Sequence, residues 1–151
     1  MEITELLPML KGIYESMMPF NKWLGIEVTR IDLQQIDITF SKKPEMIGNF
    51  TADMLHGGVI SSVIDLAGGI ASQAVVLETI KDLPMDKLEE RFKKMSTIDL
   101  RVDYLRPGQG QTFTCTSSVV RLGKKVAVAQ MELKNESNDL IAIGTGSYLV
   151  G

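Results

Sequence analysis

LHGGVISSVIDLAGGIASQ, residues 55–73, decides the fold of this chain. Apolar residues from Val59 to Val75 occupy nearly every face of the helical pattern, and a helix that is apolar nearly all round is a buried helix. We therefore predict one long buried helix from Gly57 to about Ile80. Asp65 stands inside it, where it must be paired, exposed or used, because burying an unpaired carboxylate is costly.

The segments on either side of this helix alternate between helical and strand patterns. Leucines at helical spacing predict an amphipathic helix over residues 3–18, and LGIEVTRIDLQQIDITFS predicts two antiparallel strands with a tight turn at residues 32–35. PEMIGNFTADML reads as a loop, and the charged stretch 81–95 as a solvated connection with a short helix in MDKLEERFKKM. From Ser96 onward four alternating segments follow, separated by PGQG, GKK and ESND.

This order of elements predicts an α+β fold. A curved antiparallel sheet of five to six strands wraps around the long helix, with the N-terminal helix beside it. At 151 residues, of which 44% are hydrophobic, we expect a single domain over residues 1–151. An open sheet exposes strand edges, so pairing across a two-fold axis predicts a homodimer or a dimer of dimers.

Composition and charge exclude several classes of function. A net charge of −3 and an isoelectric point near 5.2 argue against a nucleic-acid partner. The N-terminus lacks the pattern of a signal peptide, and no run predicts a membrane partner. The single Cys115 and the single His56 form no disulfide and no metal-ligand pattern. We therefore expect a cytoplasmic protein with no metal.

Small residues share one side of the long helix with Asp65. Gly58, Ser61 or Ser62, Gly68 or Gly69, and Ser72 fall on that side at 3.6 residues per turn. Glycine in a helix interior costs about 1 kcal/mol relative to alanine, which suggests that side chains there would block something. Asp65 itself is either a structural carboxylate, paired with an arginine or capped by serines, or a group that faces a ligand.

The start of the helix carries the only histidine. His56, Gly57 and Gly58 lead into the helix, so free N–H groups and the positive end of the helix dipole point out of it. Such an end can bind a developing oxyanion. The alternative is that His56 only structures the loop and that the glycines only allow a tight entry.

The combination of these motifs resembles the hotdog-fold acyl-CoA thioesterases, in particular the phenylacetate-pathway type within the 4-hydroxybenzoyl-CoA thioesterase superfamily. The resemblance rests on Asn49, then LHGGVISSVIDLAGG with its helical aspartate, then STIDLRVDYLRP. PFNKWLGIEV is also similar to the family's entry into its first strand, so the resemblance covers Pro19 to Gly151.

The resemblance implies roles for particular residues. The N–H of Gly57 would hold the thioester carbonyl, with Gly58 beside it, and Asp65 of the other subunit would be the general base or the nucleophile. Asn49 would place the thioester or the water, and Thr97, or else Ser96, would assist the attacking water. Four basic residues are candidates for binding coenzyme A, with solvated turn charges as the alternative: Arg106, Arg121, Lys124 and Lys125.

The activity implied is hydrolysis of a small to medium or aromatic acyl-CoA, with coenzyme A as part of the substrate and no cofactor. An aspartate and a helix N-terminus supply a base and an oxyanion site. Two alternatives stay open: an acyl-CoA-binding module without turnover, and a hotdog dehydratase, which would be expected to use a histidine as base. The insertion at residues 81–95 could lengthen the helix, cover the acyl tunnel or alter the oligomer.

Overall fold

The computed structural model describes residues 1–151 as one six-stranded antiparallel sheet and four α-helices. The helices are α1 Ile3–Gly12, α2 Pro19–Leu24, α3 Gly57–Ile80 and α4 Met85–Lys94. The strands are β1 Glu27–Ile31, β2 Ile36–Ser41, β3 Ser96–Tyr104, β4 Thr112–Leu122, β5 Val126–Asn135 and β6 Leu140–Leu149.

The helix α3 begins and ends where the apolar pattern predicted. Half of its 24 residues are buried, and the hydrophobic ones among them belong to one core shared with the sheet and with α1. By length and apolarity alone α3 could cross a membrane, but 61% of its most apolar window is buried inside the protein. It is the central helix of the fold.

The sheet has the strand order β1-β2-β4-β5-β6-β3, so β1 and β3 are its two edges. The strands β4, β5 and β6 are joined by short hairpins, and β3 pairs only with β6. This arrangement, a curved antiparallel sheet against one long central helix, confirms the predicted hotdog fold. It leaves the outer edge of β3 open to solvent.

The N-terminal helix differs from the single helix predicted over residues 3–18. After Gly12 the chain continues as one π-helical turn, Ile13–Met17, and Met18 is extended, with φ −90° and ψ 113°. Met18 precedes Pro19, and the ring of a proline disfavours helical geometry in the residue before it. The helix α2 then starts at Pro19 and ends at Leu24, and it is followed by Gly25, whose φ of 68° is left-handed.

The insertion after the central helix forms α4, as the sequence predicted. Leu88 is its buried residue, and Phe92 packs against the edge of the core. Most charged residues of α4 are exposed, whereas Arg91 is partly buried. The loop predicted at residues 44–55 contains one short 3₁₀ turn, Pro44–Met46, and an isolated bridge between Ile47 and Leu55.

Candidate functional site

His56 is the N-cap of α3. Its Nδ1 accepts a hydrogen bond from the Gly58 N–H at 2.7 Å, and its carbonyl accepts the N–H groups of Val59 and Ile60. The Gly57 N–H has no partner within the chain. Because this N–H lies at the positive end of a 24-residue helix, it is a ready donor for an anionic oxygen.

Tyr104, at the end of β3, covers the start of the same helix. Its hydroxyl donates to the Gly57 carbonyl at 3.1 Å, and its ring lies at van der Waals distance from a side chain built at position 57. This contact ties the end of the edge strand to the first turn of α3. Sequence reasoning did not select Tyr104, although it stands in the YLRP motif.

Asp65 is held by two hydroxyl groups. Thr97 Oγ1 donates to its carboxylate oxygens at 3.0 and 3.3 Å, and the Tyr148 hydroxyl lies 3.2 Å from Oδ1 and 3.0 Å from the Asp65 carbonyl oxygen. No lysine or arginine forms an ion pair with it. The arginine pairing considered from the sequence is therefore absent within the protomer, where only hydroxyl groups contact the carboxylate.

Tyr148 is positioned by two glycines from different elements. A methyl group at Gly68 would lie 2.7 Å from Tyr148 Cζ, and one at Gly146 would lie 2.6 Å from its hydroxyl. The room that the sequence suggested for a backbone or a ligand beside Gly68 is thus taken by this ring. Burial, and then the nearby Asp65 carboxylate, raise the pKa of Tyr148 above its ordinary value, so the phenol remains a donor.

A cavity of about 210 Å³ opens beside the carboxylate. Besides Asp65, Thr97 and Tyr148, this Asp65 cavity is lined by Tyr14, Gly69, Ser72, Gln73, Met95 and Ser96, among others. The Ser72 hydroxyl is fully buried and has no hydrogen-bond partner. The Tyr14 phenol is also buried, and burial and the Asp65 charge raise its pKa. Two buried hydroxyl-bearing side chains, those of Ser72 and Tyr14, thus line the cavity in addition to those that contact Asp65.

The residues predicted for the site fall into two groups. Asp65, Thr97 and Ser96 come together at the Asp65 cavity. His56, Gly57 and Gly58 lie at the helix start, eight residues from Asp65 and thus about 12 Å away along the helix axis. The Gly58 N–H is occupied by His56, which leaves only the Gly57 N–H free. One thioester cannot contact both groups within one protomer.

Asn49 lies in the loop before the central helix and does not line the Asp65 cavity. Its Oδ1 accepts the Thr51 hydroxyl at 2.6 Å and the Thr51 N–H at 3.2 Å. The loop packs against His56, because a side chain at Gly48 would meet the His56 backbone at 2.9 Å. The loop of Asn49 thus lies beside the helix start, but the Asn49 side chain contacts only Thr51.

The four basic candidates do not converge within one protomer. Arg106 follows the far end of β3 and donates to the Leu140 carbonyl at 2.9 Å. Arg121, Lys124 and Lys125 lie at the turn between β4 and β5, next to the chain segment that ends β6. This turn lies at the Ser96 end of β3, because Leu149 pairs with both Ser96 and Val126.

Three residues at these sites escaped sequence reasoning: Tyr14, Tyr104 and Tyr148. Ser72 was placed on the Asp65 side of the helix but was given no role. The signal for Tyr148 was the pattern Gly144, Gly146, Tyr148 on alternate positions of one strand, where a side chain at Gly144 would overlap Ile64 and one at Gly146 would overlap the ring. No three side chains of histidine, cysteine, aspartate or glutamate come together in a way that could hold a metal ion.

Comparisons with known proteins concern the family and the fold. The family model described as Thioesterase superfamily matches residues 52–142. The chain is 47% identical, over 134 residues, to the Escherichia coli K12 protein named Medium/long-chain acyl-CoA thioesterase YigI, covering 89% of this chain and 86% of that protein.

Two solved structures have the same architecture. A Shewanella oneidensis protein related to the thioesterase superfamily is 42% identical, with a TM-score of 0.93 over 99% of this chain and 97% of that chain. The Escherichia coli PaaI protein, from the phenylacetic acid degradation operon, is 22% identical with a TM-score of 0.76, covering 99% and 94% of the two chains. The second likeness concerns the fold alone.

Proposed function

The chain belongs to the thioesterase superfamily and has the hotdog fold, and from this premise we propose that it hydrolyses medium- to long-chain acyl-CoA thioesters to a free acid and coenzyme A. The name of the Escherichia coli relative supports this substrate class. It favours longer acyl groups than the small, medium or aromatic ones expected from the sequence.

One observation carries the chemistry: an unpaired carboxylate is oriented toward a cavity by two hydroxyl donors. Thioester hydrolysis needs an activated water, or a carboxylate nucleophile, and a site for the oxyanion that forms on the carbonyl. Asp65 supplies the first, with Thr97 and Tyr148 fixing its orientation.

The oxyanion site lies on a second copy of the chain. The Gly57 N–H is the free donor, but it is about 12 Å from Asp65 along the same helix, so the two must meet across an interface. We therefore include a homodimer in the proposal. Each active site would combine Asp65 of one protomer with the helix start of its partner.

The open edge of β3 explains how the two halves could meet. Thr97 lies at the first end of this strand beside Asp65, and Tyr104 lies at the last end beside Gly57. Antiparallel pairing of two β3 strands about their midpoint places the first end of one strand against the last end of the other. This pairing brings Gly57 of the partner subunit toward Asp65 and also covers the open edge.

The same pairing would gather the basic candidates. Arg106 stands past the last end of β3, whereas Lys124 and Lys125 stand by its first end. Across the dimer, Arg106 of the partner subunit would approach the two lysines and Arg121. Such a cluster suits the phosphates of coenzyme A, which is part of the substrate, and the chemistry needs no cofactor.

A cytoplasmic location agrees with the free, buried thiol of Cys115.

The first experiment measures thiol release from a series of acyl-CoA thioesters. We expect turnover by the wild type and a loss of about 10²- to 10⁴-fold in Asp65→Asn, since removal of a general base has effects of this size. The matched control is Asp37→Asn. Asp37 accepts the Thr116 hydroxyl at 2.8 Å, but it lies on β2, four strands from β3. Full activity in Asp65→Asn would refute the proposal.

The second experiment removes a single N–H group. Gly57 is the first residue of α3, where proline is tolerated, and His56 has a ψ of 136° that suits a residue before proline. Gly57→Pro deletes the N–H, whereas Gly57→Ala keeps it with a similar side chain. Losing one oxyanion donor costs about 10²- to 10³-fold in kcat. Equal activity in the two variants would exclude this donor.

Mixing the two inactive variants tests the shared site. A hybrid of Asp65→Asn and Gly57→Pro subunits holds one intact site and one doubly altered site, provided that each site spans two subunits. Random exchange of subunits then restores about a quarter of the wild-type activity. No recovery, in a mixture shown to contain hybrids, would place the whole site in one protomer.

A further inference from the structure

A second cavity, of about 140 Å³, lies between α1, α3 and α4. Eight of its nine lining residues are hydrophobic and the ninth is Glu89; the hydrophobic ones include Leu6, Leu10, Ile13, Leu77, Leu88 and Phe92. We call it the apolar cavity. We propose that it receives the distal end of the acyl chain whose thioester is cleaved at Asp65, an inference that rests on the proposed function.

The two cavities follow one face of the central helix. Gly69 and Gln73 line the Asp65 cavity, and Leu77 lines the apolar cavity. These three residues are four apart, so they succeed one another along the same side of α3. A chain that leaves Asp65 along this face passes Gly69, which has no side chain to obstruct it, and then reaches Gln73.

The same two chain segments supply walls to both cavities. On one side Tyr14 lines the Asp65 cavity, and Ile13 and Leu10 line the apolar cavity. On the other side Met95 lines the first and Phe92 the second. In this proposal the N-terminal helical segment and the insertion form the two side walls of one groove, and α3 forms its base.

The chemistry of the groove changes from polar to apolar along its length. The Asp65 end has the carboxylate and the hydroxyls that a thioester and a water require. The far end has Glu89 as its only charged lining residue. An apolar cavity of this kind suits hydrocarbon, and a cavity of roughly 150 Å³ is known to admit a molecule as large as benzene. The apolar cavity therefore has room for several carbons.

The length of the groove sets which acyl groups reach the apolar cavity. Gln73 lies about 12 Å and Leu77 about 18 Å from Asp65 along the helix axis. With a C–C bond of about 1.5 Å, an extended alkyl chain advances about 1.3 Å per carbon. Octanoyl groups therefore end within the Asp65 cavity, whereas myristoyl and palmitoyl groups extend into the apolar cavity. The insertion would then act as a determinant of acyl length.

Substitution at Ile13 tests this assignment, because Ile13 is only half-buried, lines the apolar cavity and precedes Tyr14, which lines the Asp65 cavity. Ile13→Trp would fill the end of the apolar cavity that lies toward Tyr14. We expect kcat/KM for myristoyl- and palmitoyl-CoA to fall by about tenfold or more, because each methylene that loses its place in an apolar pocket has a large effect. We expect the values for hexanoyl- and octanoyl-CoA to stay within about twofold.

Two further variants keep the test decisive. Ile13→Ala enlarges the apolar cavity and should shift the preference toward longer chains, even if the tryptophan variant fails to fold. Met17→Trp adds the same ring one turn later, at a residue that is 72% exposed and lines neither cavity, and should leave the profile unchanged. A parallel loss across all chain lengths in Ile13→Trp, or an unchanged profile in Ile13→Ala, would overturn the inference. Absence of turnover in the wild type on every acyl-CoA would instead refute the proposed function.

Discussion

Two adjacent glycines of the central helix should respond in opposite ways to the same substitution. In Gly68→Ala the new methyl group would lie 2.7 Å from Tyr148 Cζ and 2.9 Å from Cε2, and closer still to the hydroxyl. In Gly69→Ala the nearest atom is the Tyr14 hydroxyl at 3.2 Å. The first overlap is with a ring that cannot turn away, and the second with the far end of a side chain.

The magnitude for Gly68→Ala follows from what Tyr148 must give up. The ring is also in close contact with Gly146, so it can make room only by moving away from Asp65 and losing the hydrogen bond that its single O–H shares between the Asp65 carbonyl and Oδ1. Overpacking costs about 1–3 kcal/mol, and the lost hydrogen bond about 0.5–1.5 kcal/mol. Alanine returns about 1 kcal/mol of helix propensity. We expect a net loss of about 1–3 kcal/mol in the free energy of unfolding.

For Gly69→Ala the same gain in helix propensity is offset only by a close contact with the Tyr14 hydroxyl. We expect its free energy of unfolding to lie between that of the wild type and about 1 kcal/mol above it. Urea unfolding of the three proteins, with thiol release from octanoyl-CoA measured on Gly68→Ala, tests both values. Equal stability of the two variants, or full activity in Gly68→Ala, would show that Tyr148 is not what Gly68 accommodates and would refute the reasoning.

Two predictions concern the helix cap and the buried phenols. His56→Ala removes the Nδ1 acceptor of the Gly58 N–H and should lower the free energy of unfolding by about 1 kcal/mol, with a smaller loss of activity than Asp65→Asn. Asparagine is also a capping residue, so His56→Asn should restore both stability and activity. A stable but inactive His56→Asn would instead assign a chemical role to the imidazole. Burial raises the pKa of Tyr148 in the folded protein, so above its ordinary value of 10.0 the folded state binds more protons than the unfolded state. The contribution of Tyr148 to stability is therefore fully present below pH 10 and declines above it, by up to about 1.4 kcal/mol per pH unit. Urea unfolding between pH 10 and 11 should show a shallower decline in Tyr148→Phe than in the wild type. An identical decline in the two proteins would contradict the raised pKa.

The elements of the fold were predictable because each is encoded locally. The apolar pattern of α3 extends without interruption from Gly57, and the turns PGQG, GKK and ESND separate strands that pair as hairpins. The N-terminal helix was predicted too regularly. Its π-helical turn depends on how the segment before Pro19 packs against the core, which no periodicity records.

The surroundings of Asp65 were predictable only in part. The sequence showed a carboxylate among small residues, and it selected Thr97 through the family resemblance. It did not reveal Tyr148, because the space for that ring is made by Gly68 on α3 and Gly146 on β6, which are 78 residues apart. A glycine reports that something comes close, but the partner is decided by the packing of helix against sheet.

The placement of Thr97 depends on one irregularity of the edge strand. In STIDLRVDY, strict alternation would put Ile98, Leu100 and Val102 on the face toward α3 and would turn Thr97 away. The pairing of β3 with β6 shifts register between Thr97 and Asp99, so Leu100 and Val102 pack against the core, whereas Thr97 contacts Asp65. A bulge re-aims a side chain in this way.

The same bulge leaves Ile98 with 54% of its surface exposed, beside the open edge of β3. Burying an isoleucine fully is worth about 1.5–3 kcal/mol, so an exposed one on an edge strand favours a second strand that covers it. One local irregularity thus turns a hydroxyl toward the carboxylate and presents an apolar side chain to a partner. The register that positions Thr97 beside Asp65 therefore also favours pairing of β3 with the β3 strand of a second copy. Such a link between the two is expected if the site is complete only in the dimer, where that pairing would bring the partner's helix start to Asp65.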